Sequence, residues 1–148
     1  PAIDMGLSVS RIGSKVQCPA IREVSEGLRL TYTQYRDMLR MTRLRTRLSE
    51  EAMERLRRGE ALRELLIQEN ARPVSLVETI VLFYAFKRKI LEVLQQEDLK
   101  RFKHEFFLFL QQQHPALIEQ LEREQLLTHD LQEALNQSFI DYFRAMKA

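Results

Sequence analysis

Residues 74–114 read VSLVETIVLFYAFKRKILEVLQQEDLKRFKHEFFLFLQQQH, with no glycine or proline between Val74 and His114. Those two residue types interrupt helices most strongly, because proline lacks the N–H and clashes with the preceding turn while glycine loses the most backbone entropy. The stretch is therefore predicted to be helical, either as one long helix or as two meeting at a soft joint near Gln95 and Gln96. Apolar residues recur at the spacing of a helix face. Leu76, Ile80, Phe83, Tyr84, Ile90 and Leu94 form the first set, and Leu99, Phe102, Phe106, Phe109 and Leu110 the second. Each set makes one stripe for burial. Ser75 followed by Glu78 has the form of a capping box, which places a helix start at the head of the run.

The same periodicity extends outward from this stretch. Upstream, Leu48, Ala52, Leu56, Leu62 and Leu66 form another stripe behind Ser49, Glu50 and Glu51; downstream, Thr128 precedes Asp130 at the start of the final apolar run. A serine or threonine before acidic residues suits a helix N-terminus, where the side chain accepts an unpaired N–H and negative charge is favoured. Helices are predicted at 19–28, 31–45, 49–68, 75–94, 97–113, 115–124 and 129–146. The fold class is all-α, a bundle of about six or seven helices. The opening segment Pro1 to Ser14, PAIDMGLSVSRIGS, departs from this pattern. Ile3, Met5, Leu7 and Val9 alternate with small or polar residues, which is strand periodicity. An all-helical domain has no sheet for it to join, so residues 1–18 are expected to close a preceding domain and residues 19–148 to form the bundle. A start at Pro1 rather than Met fits a fragment or a processed chain.

Composition narrows the function classes. The chain has 148 residues, 45% hydrophobic and 30% charged, a balance that buries a single core. Lys and Arg number 23 against 21 Asp and Glu, a net charge of +2 that does not by itself call for nucleic acid or an anionic membrane. Cys18 is the only cysteine, which excludes an internal disulfide framework and a thiolate metal cluster and fits a reducing compartment. The strongest apolar run, Thr79 to Phe86, is far short of the roughly 20 residues that span a bilayer. No direct membrane insertion is expected.

Several constellations have bland readings. The stretch Gly6 to Lys15, GLSVSRIGSK, is not a phosphate-binding loop, since Gly13 is followed by Ser14 and Lys15 rather than by Lys and then Ser or Thr. It does present Arg11 just past the alternating run, as a solvated residue or as a guanidinium held toward a phosphate. Nine arginines lie between Arg36 and Arg63, with Arg36, Arg40, Arg43 and Arg47 at the spacing of one helix face. Asp37, Glu50, Glu51, Glu54, Glu60 and Glu64 are interleaved with them and no aromatic platform accompanies them, so a solvated or protein-facing surface is read rather than a nucleic-acid interface. His104, His114 and His129 lack metal-ligand spacing and are read as surface or helix-end residues; no metal site is assigned. Cys18 has no adjacent base and is read as a small buried side chain. No catalytic triad stands out, so the chain is not expected to be an enzyme on its own.

The opening residues PAIDMGLSVSRIGS closely resemble the segment that closes the nucleotide-binding domain in the α subunit of F-type ATP synthases, usually written PAINVGLSVSRVGS. The likeness continues through Gln34, Tyr35 and Arg36, through Arg58, Gly59, Leu62, Leu65 and Leu66 (RGxxLxELL), through Tyr84 and Ala85, and through Phe102, His114 and Pro115. It is strong at the start and looser after Glu69.

The resemblance implies a C-terminal helical domain in the collar of the α3β3 head around the rotating γ shaft, with a nucleotide-binding domain preceding it. The implied partners are the β subunit, the neighbouring α/β head and the γ rotor. The implied location is peripheral, on the cytoplasmic face of a bacterial membrane or the equivalent organellar face. In the family, the Arg of SVSR reaches into the catalytic site of a neighbouring β subunit, and Arg11 occupies that place. Ser8, Val9 and Ser10 would shape the strand end that delivers it. No cofactor is implied in this chain itself; Mg-ATP or ADP belongs to the parent complex. Two stretches depart from the family. Where it has an acidic turn, FGSDLD, this chain has Leu44, Arg45, Thr46, Arg47, Leu48 and Ser49, which reverses the charge. Where it has glycines after Tyr-Ala, this chain has Phe86, Lys87, Arg88 and Lys89, which predicts helix in place of a turn. The alternative function is an independent helical adaptor that binds acidic protein or nucleic acid through the arginine-rich face.

Overall fold

Ten consecutive residues, Val77 to Phe86, are buried in the computed structural model, which describes residues 9, 11–12, 18–44, 47–67 and 75–147. They belong to the helix at Leu76–Lys87, which is buried on every side from Val77 to Phe86 and not along one stripe as the spacing implied. The reason is its position, for helices packed on several sides leave it no solvent face. In chain order the elements are α1 (Pro19–Ser25), α2 (Leu28–Arg43), α3 (Glu50–Leu66), α4 (Leu76–Lys87), a 3-10 turn (Leu91–Val93), α5 (Gln96–Gln113), α6 (Pro115–Glu124) and α7 (His129–Lys147). Helix α4 packs against α1, α3, α5 and α6. Among the described residues there is no strand.

The predicted helix starts are seated as capping chemistry requires. Ser49 accepts from the N–H of Ala52 (3.2 Å), Ser75 from Glu78 (3.1 Å) and Thr128 from Leu131 (3.2 Å). Such caps each contribute about 1 kcal/mol by satisfying N–H groups that the helix leaves orphaned. Helix α1 has no such side chain. Pro19 stands in its first turn, and the carbonyl of Gln125 accepts from the N–H of Ala20 (3.0 Å) and from the Cys18 thiol (3.5 Å). Residue Gln125 can do this because it sits in the left-handed region (φ 51°) and ends α6, so the start of α1 is tied to the far end of the chain.

The run from Val74 to His114 breaks in two places, one of them unforeseen. Extended backbone at Leu94 and Gln95 confirms the joint expected near Gln95. The other break corrects the expectation of continuous helix through Phe86 to Lys89. Helix α4 stops at Lys87, Lys89 adopts a positive φ of 62°, the N–H of Lys89 bonds the carbonyl of Phe86 (3.0 Å) and the N–H of Ile90 bonds that of Ala85 (3.3 Å). This paired pattern is a helix-ending Schellman motif, normally built on glycine. Here a lysine accepts the left-handed conformation, at a cost of roughly 1 kcal/mol, because burial of Ile90 and Leu91 against the core holds the chain in the turn.

The opening segment is corrected as well. Of its residues only Val9, Arg11 and Ile12 are described, and they are helical, not extended. A lone strand leaves its N–H and C=O groups unpaired, whereas a helix closes them within itself. Val9 is buried and joins the core cluster, and Ile12 packs against it. The remainder of the strand reading, including Ser8 and Ser10, lies outside the described residues.

Helices α2 and α3 form the most extensive pairing in the molecule. Gly59 allows it: a Cβ there would lie 2.2 Å from Cδ1 and 2.3 Å from Cγ of Tyr35, so any side chain would force the two helices apart. The Tyr35 ring is locked in turn by its hydroxyl, which donates to Oε1 of Glu60 at 2.8 Å. At the other side of the molecule, α5 and α7 interlock through aromatic rings around Phe102 and Phe106.

Candidate functional site: Arg11 and the basic hairpin

Arg11 is exposed, and its neighbours explain how it is held. On a helical path, Val9 and Ile12 share a side that faces the core, which leaves Arg11 turned outward on a short stretch anchored to the bundle. Val9 thus acts as an anchor, and the strand end that was expected to deliver Arg11 is not formed at the described residues.

The arginine face is only partly on a helix. Arg36, Arg40 and Arg43 are exposed on α2, and the guanidinium of Arg36 lies 5.7 Å from the Tyr32 ring centre. Arg47, expected on the same face, is carried in the connection to α3, because α2 ends at Arg43 and the N–H of Leu44 turns back to Met41 (3.1 Å). Arg45 and Thr46 lie outside the described residues. The tip of the hairpin therefore shows Arg43, Arg47 and the exposed Leu44, a basic surface with an apolar element.

Some arginines of this region serve the fold. Arg58 Nη1 donates to Glu92 Oε1 at 2.7 Å and to the Phe86 carbonyl at 3.2 Å, and its guanidinium stacks 4.2 Å from the Phe86 ring centre. The residue ties α3 to the end of α4 and to the 3-10 turn. Its role was not legible in sequence beyond its place in RGxxL, since Phe86 comes to it only through the packing of α3 on α4 and Glu92 only through the turn after α4. Lys103 of α5 likewise donates to the carbonyls of Glu64 (2.8 Å) and Ile67, where a cation suits the negative end of α3.

The histidines stand at helix surfaces and ends. Nε2 of His114, between α5 and α6, lies 3.5 Å from Asp141, and Nε2 of His129 lies 4.0 Å from Glu133. Cys18 is buried in the core cluster, as its sequence context suggested. Among the described residues no group of three or more His, Cys, Asp or Glu side chains converges as a metal site would require. No described helix is long and apolar enough to cross a membrane.

Residues 17–142 match the family described as ATP synthase alpha/beta chain, C terminal domain. The chain belongs to that family. For an ATP synthase alpha/beta C-terminal domain, the described bundle and the Arg11 stretch ahead of it are therefore separate questions: the match covers the former and begins after the latter.

Two phenols in this domain are strongly shifted. Burial pushes Tyr35 up to about 12, helped by the hydrogen bond to Glu60, and burial with the nearby Glu105 carboxylate pushes Tyr142 up to about 12. Unfolded tyrosine ionises near 10. Between about pH 10 and 12 the unfolded state therefore binds fewer protons than the folded one, so stability falls as pH rises through that window. Urea melts of this ATP synthase domain should show a midpoint that is level below about pH 9.5 and declines above it. The double variant Tyr35→Phe and Tyr142→Phe should be less stable at neutral pH and show a clearly shallower alkaline decline. An unchanged decline would assign the alkaline loss to other groups.

Proposed function

We propose that this chain is the C-terminal helical domain of a regulatory, non-catalytic α subunit of a rotary F-type ATP synthase, packed in the α3β3 head around the γ rotor. The observation that carries the α assignment is Ser8 to Arg11, SVSR, standing immediately ahead of the family match at residues 17–142. A boundary at Cys18 between a preceding nucleotide-binding domain and the bundle is supported by the same juxtaposition. On this reading Arg11 acts in trans at the catalytic site of a neighbouring β subunit. Its delocalised, planar cation would stabilise charge spreading over phosphate oxygens as the β–γ bond breaks. The chain lacks the GxxxxGK[ST] loop that cradles phosphates, so Mg-ATP or ADP would be held elsewhere in the complex. The domain then serves ATP synthesis coupled to the transport of hydrogen ions or another ion. It would lie peripheral to the membrane, on the cytoplasmic face in bacteria or the equivalent organellar face.

A domain exchange tests the α assignment. An F-type α subunit whose C-terminal domain is replaced by this chain should assemble with β and γ into a head of native mass. The same replacement in the β subunit should not. Assembly only in the β position would overturn the α reading, and assembly in neither position would overturn the proposed role in the head.

A further inference from the structure

The C-terminal half of α7 and the end of α4 enclose an open groove of about 580 Å³, remote in sequence from both the Arg11 stretch and the arginine hairpin. Its floor is apolar, formed by Phe139, Phe143 and Ile140, the last of which is 49% exposed. Its rim carries Arg88 from one side and Arg144 and Lys147 from the other. All three cations are exposed, and among the described residues no carboxylate pairs with them. The carboxylates of Glu92 in the 3-10 turn and Asp141 on α7 are instead directed to Arg58 (2.7 Å) and to His114 (3.5 Å). Each cation singly suits the C-terminal end of its helix. Their convergence across a shared apolar floor is what the packing adds, through the turn at Lys89 that leaves Arg88 beside α7.

We infer that this groove docks an acidic, amphipathic helix of a protein partner. The shape favours a rod over a small molecule or a flat surface. From Asn136 to Lys147 the lining residues of α7 recur at helical spacing, a stripe about 16 Å long, or some three turns. A helix laid along it buries apolar side chains on Ile140 and Phe143, in the manner of helix-in-groove recognition. Carboxylates on the flanks of that helix, three or four residues apart, meet Arg144 and Lys147 on one rim and Arg88 on the other. The inference stands on this geometry and does not rest on the proposed place in an ATP synthase.

The test uses the whole chain and a fluorescein-labelled peptide of about 14 residues, with leucines along one face and glutamates flanking them. A control peptide carries lysine at each glutamate position. The acidic peptide should bind and weaken as salt is raised, while the lysine peptide should not bind. The double variant Arg144→Glu and Lys147→Glu should lose at least about tenfold in affinity, and Ile140→Ser should lose affinity with the salt dependence retained. Circular dichroism should show unchanged helix content in both. Failure of the acidic peptide to bind, equal binding of the two peptides, or a double variant with undiminished affinity would each overturn the inference. Preferential binding of phosphatidylserine vesicles would assign the groove to an anionic membrane instead. Self-association that competes with the peptide and is lost in the double variant would assign it to a second copy of this chain.

Discussion

Arg11→Lys in an assembled α3β3γ head carrying this chain is expected to lower kcat for ATP hydrolysis about a thousandfold, with nucleotide affinity little changed. Lysine keeps the positive charge but loses the planar fork, so it cannot hold two phosphate oxygens in a fixed geometry. On the proposed role the contact would strengthen as charge spreads over the transferring group, which would make the loss a kcat effect and not a binding effect. Arg11 is exposed and lysine keeps its positive charge, so the substitution should leave folding and assembly intact. Steady-state hydrolysis and nucleotide occupancy are measured separately on heads whose assembly is verified by native mass. Near-normal turnover in the lysine variant would reduce Arg11 to a surface residue. A proportional loss of nucleotide affinity would mean that its contact is made in the ground state.

The second large effect lies in the core. Phe106→Ala is expected to destabilise the domain by about 3–5 kcal/mol, a large fraction of the stability of an ordinary domain. The Phe106 ring is fully buried, with its centre 4.7 Å from Phe102, 5.0 Å from Phe139 and 5.3 Å from Tyr142, the last edge-on. Removing it deletes contacts between α5 and α7 on several sides at once, and rings packed this closely cannot all move into the space left. Phe107, the next residue, is only partly buried, and the exposed Leu108 beside it should cost less than about 0.5 kcal/mol as alanine. Urea denaturation of the Phe106→Ala and Leu108→Ala variants compares them directly. A loss below about 1 kcal/mol for Phe106→Ala would show that the cluster repacks freely, and a similar loss at Leu108 would show that the exposed side of α5 is covered in solution.

Much of this architecture is written locally. Ser49, Ser75 and Thr128 announce helix starts because an N-cap is a contact between a side chain and N–H groups only a few residues away. The helix predicted at 115–124 is found at Pro115–Glu124, since proline suits a first turn and cannot extend the preceding helix. The apolar spacing of Leu99, Phe102, Phe106 and Leu110 identifies a buried face for the same reason: a helix places those residues on one side whatever lies opposite. Arg11 was singled out through the long SVSRIGS resemblance, not through its spacing.

What the tertiary structure decided depends on partners that local pattern does not name. Strand periodicity at Val9 gave way to helix because the described fold supplies no sheet, and a backbone without strand neighbours must satisfy its polar groups internally. Lys89 could be left-handed against its residue preference because the core fixes Ile90 and Leu91 directly after it, and with them the reversal of the chain after α4. That reversal brings Glu92 to Arg58, which already stacks on Phe86 of α4, and leaves Arg88 across from Arg144 and Lys147. Periodicity identifies which face of a helix is buried; only packing sets which distant side chains meet on it, because helices can pair in many registers at similar local cost and the close fit of Gly59 against Tyr35 selects among them.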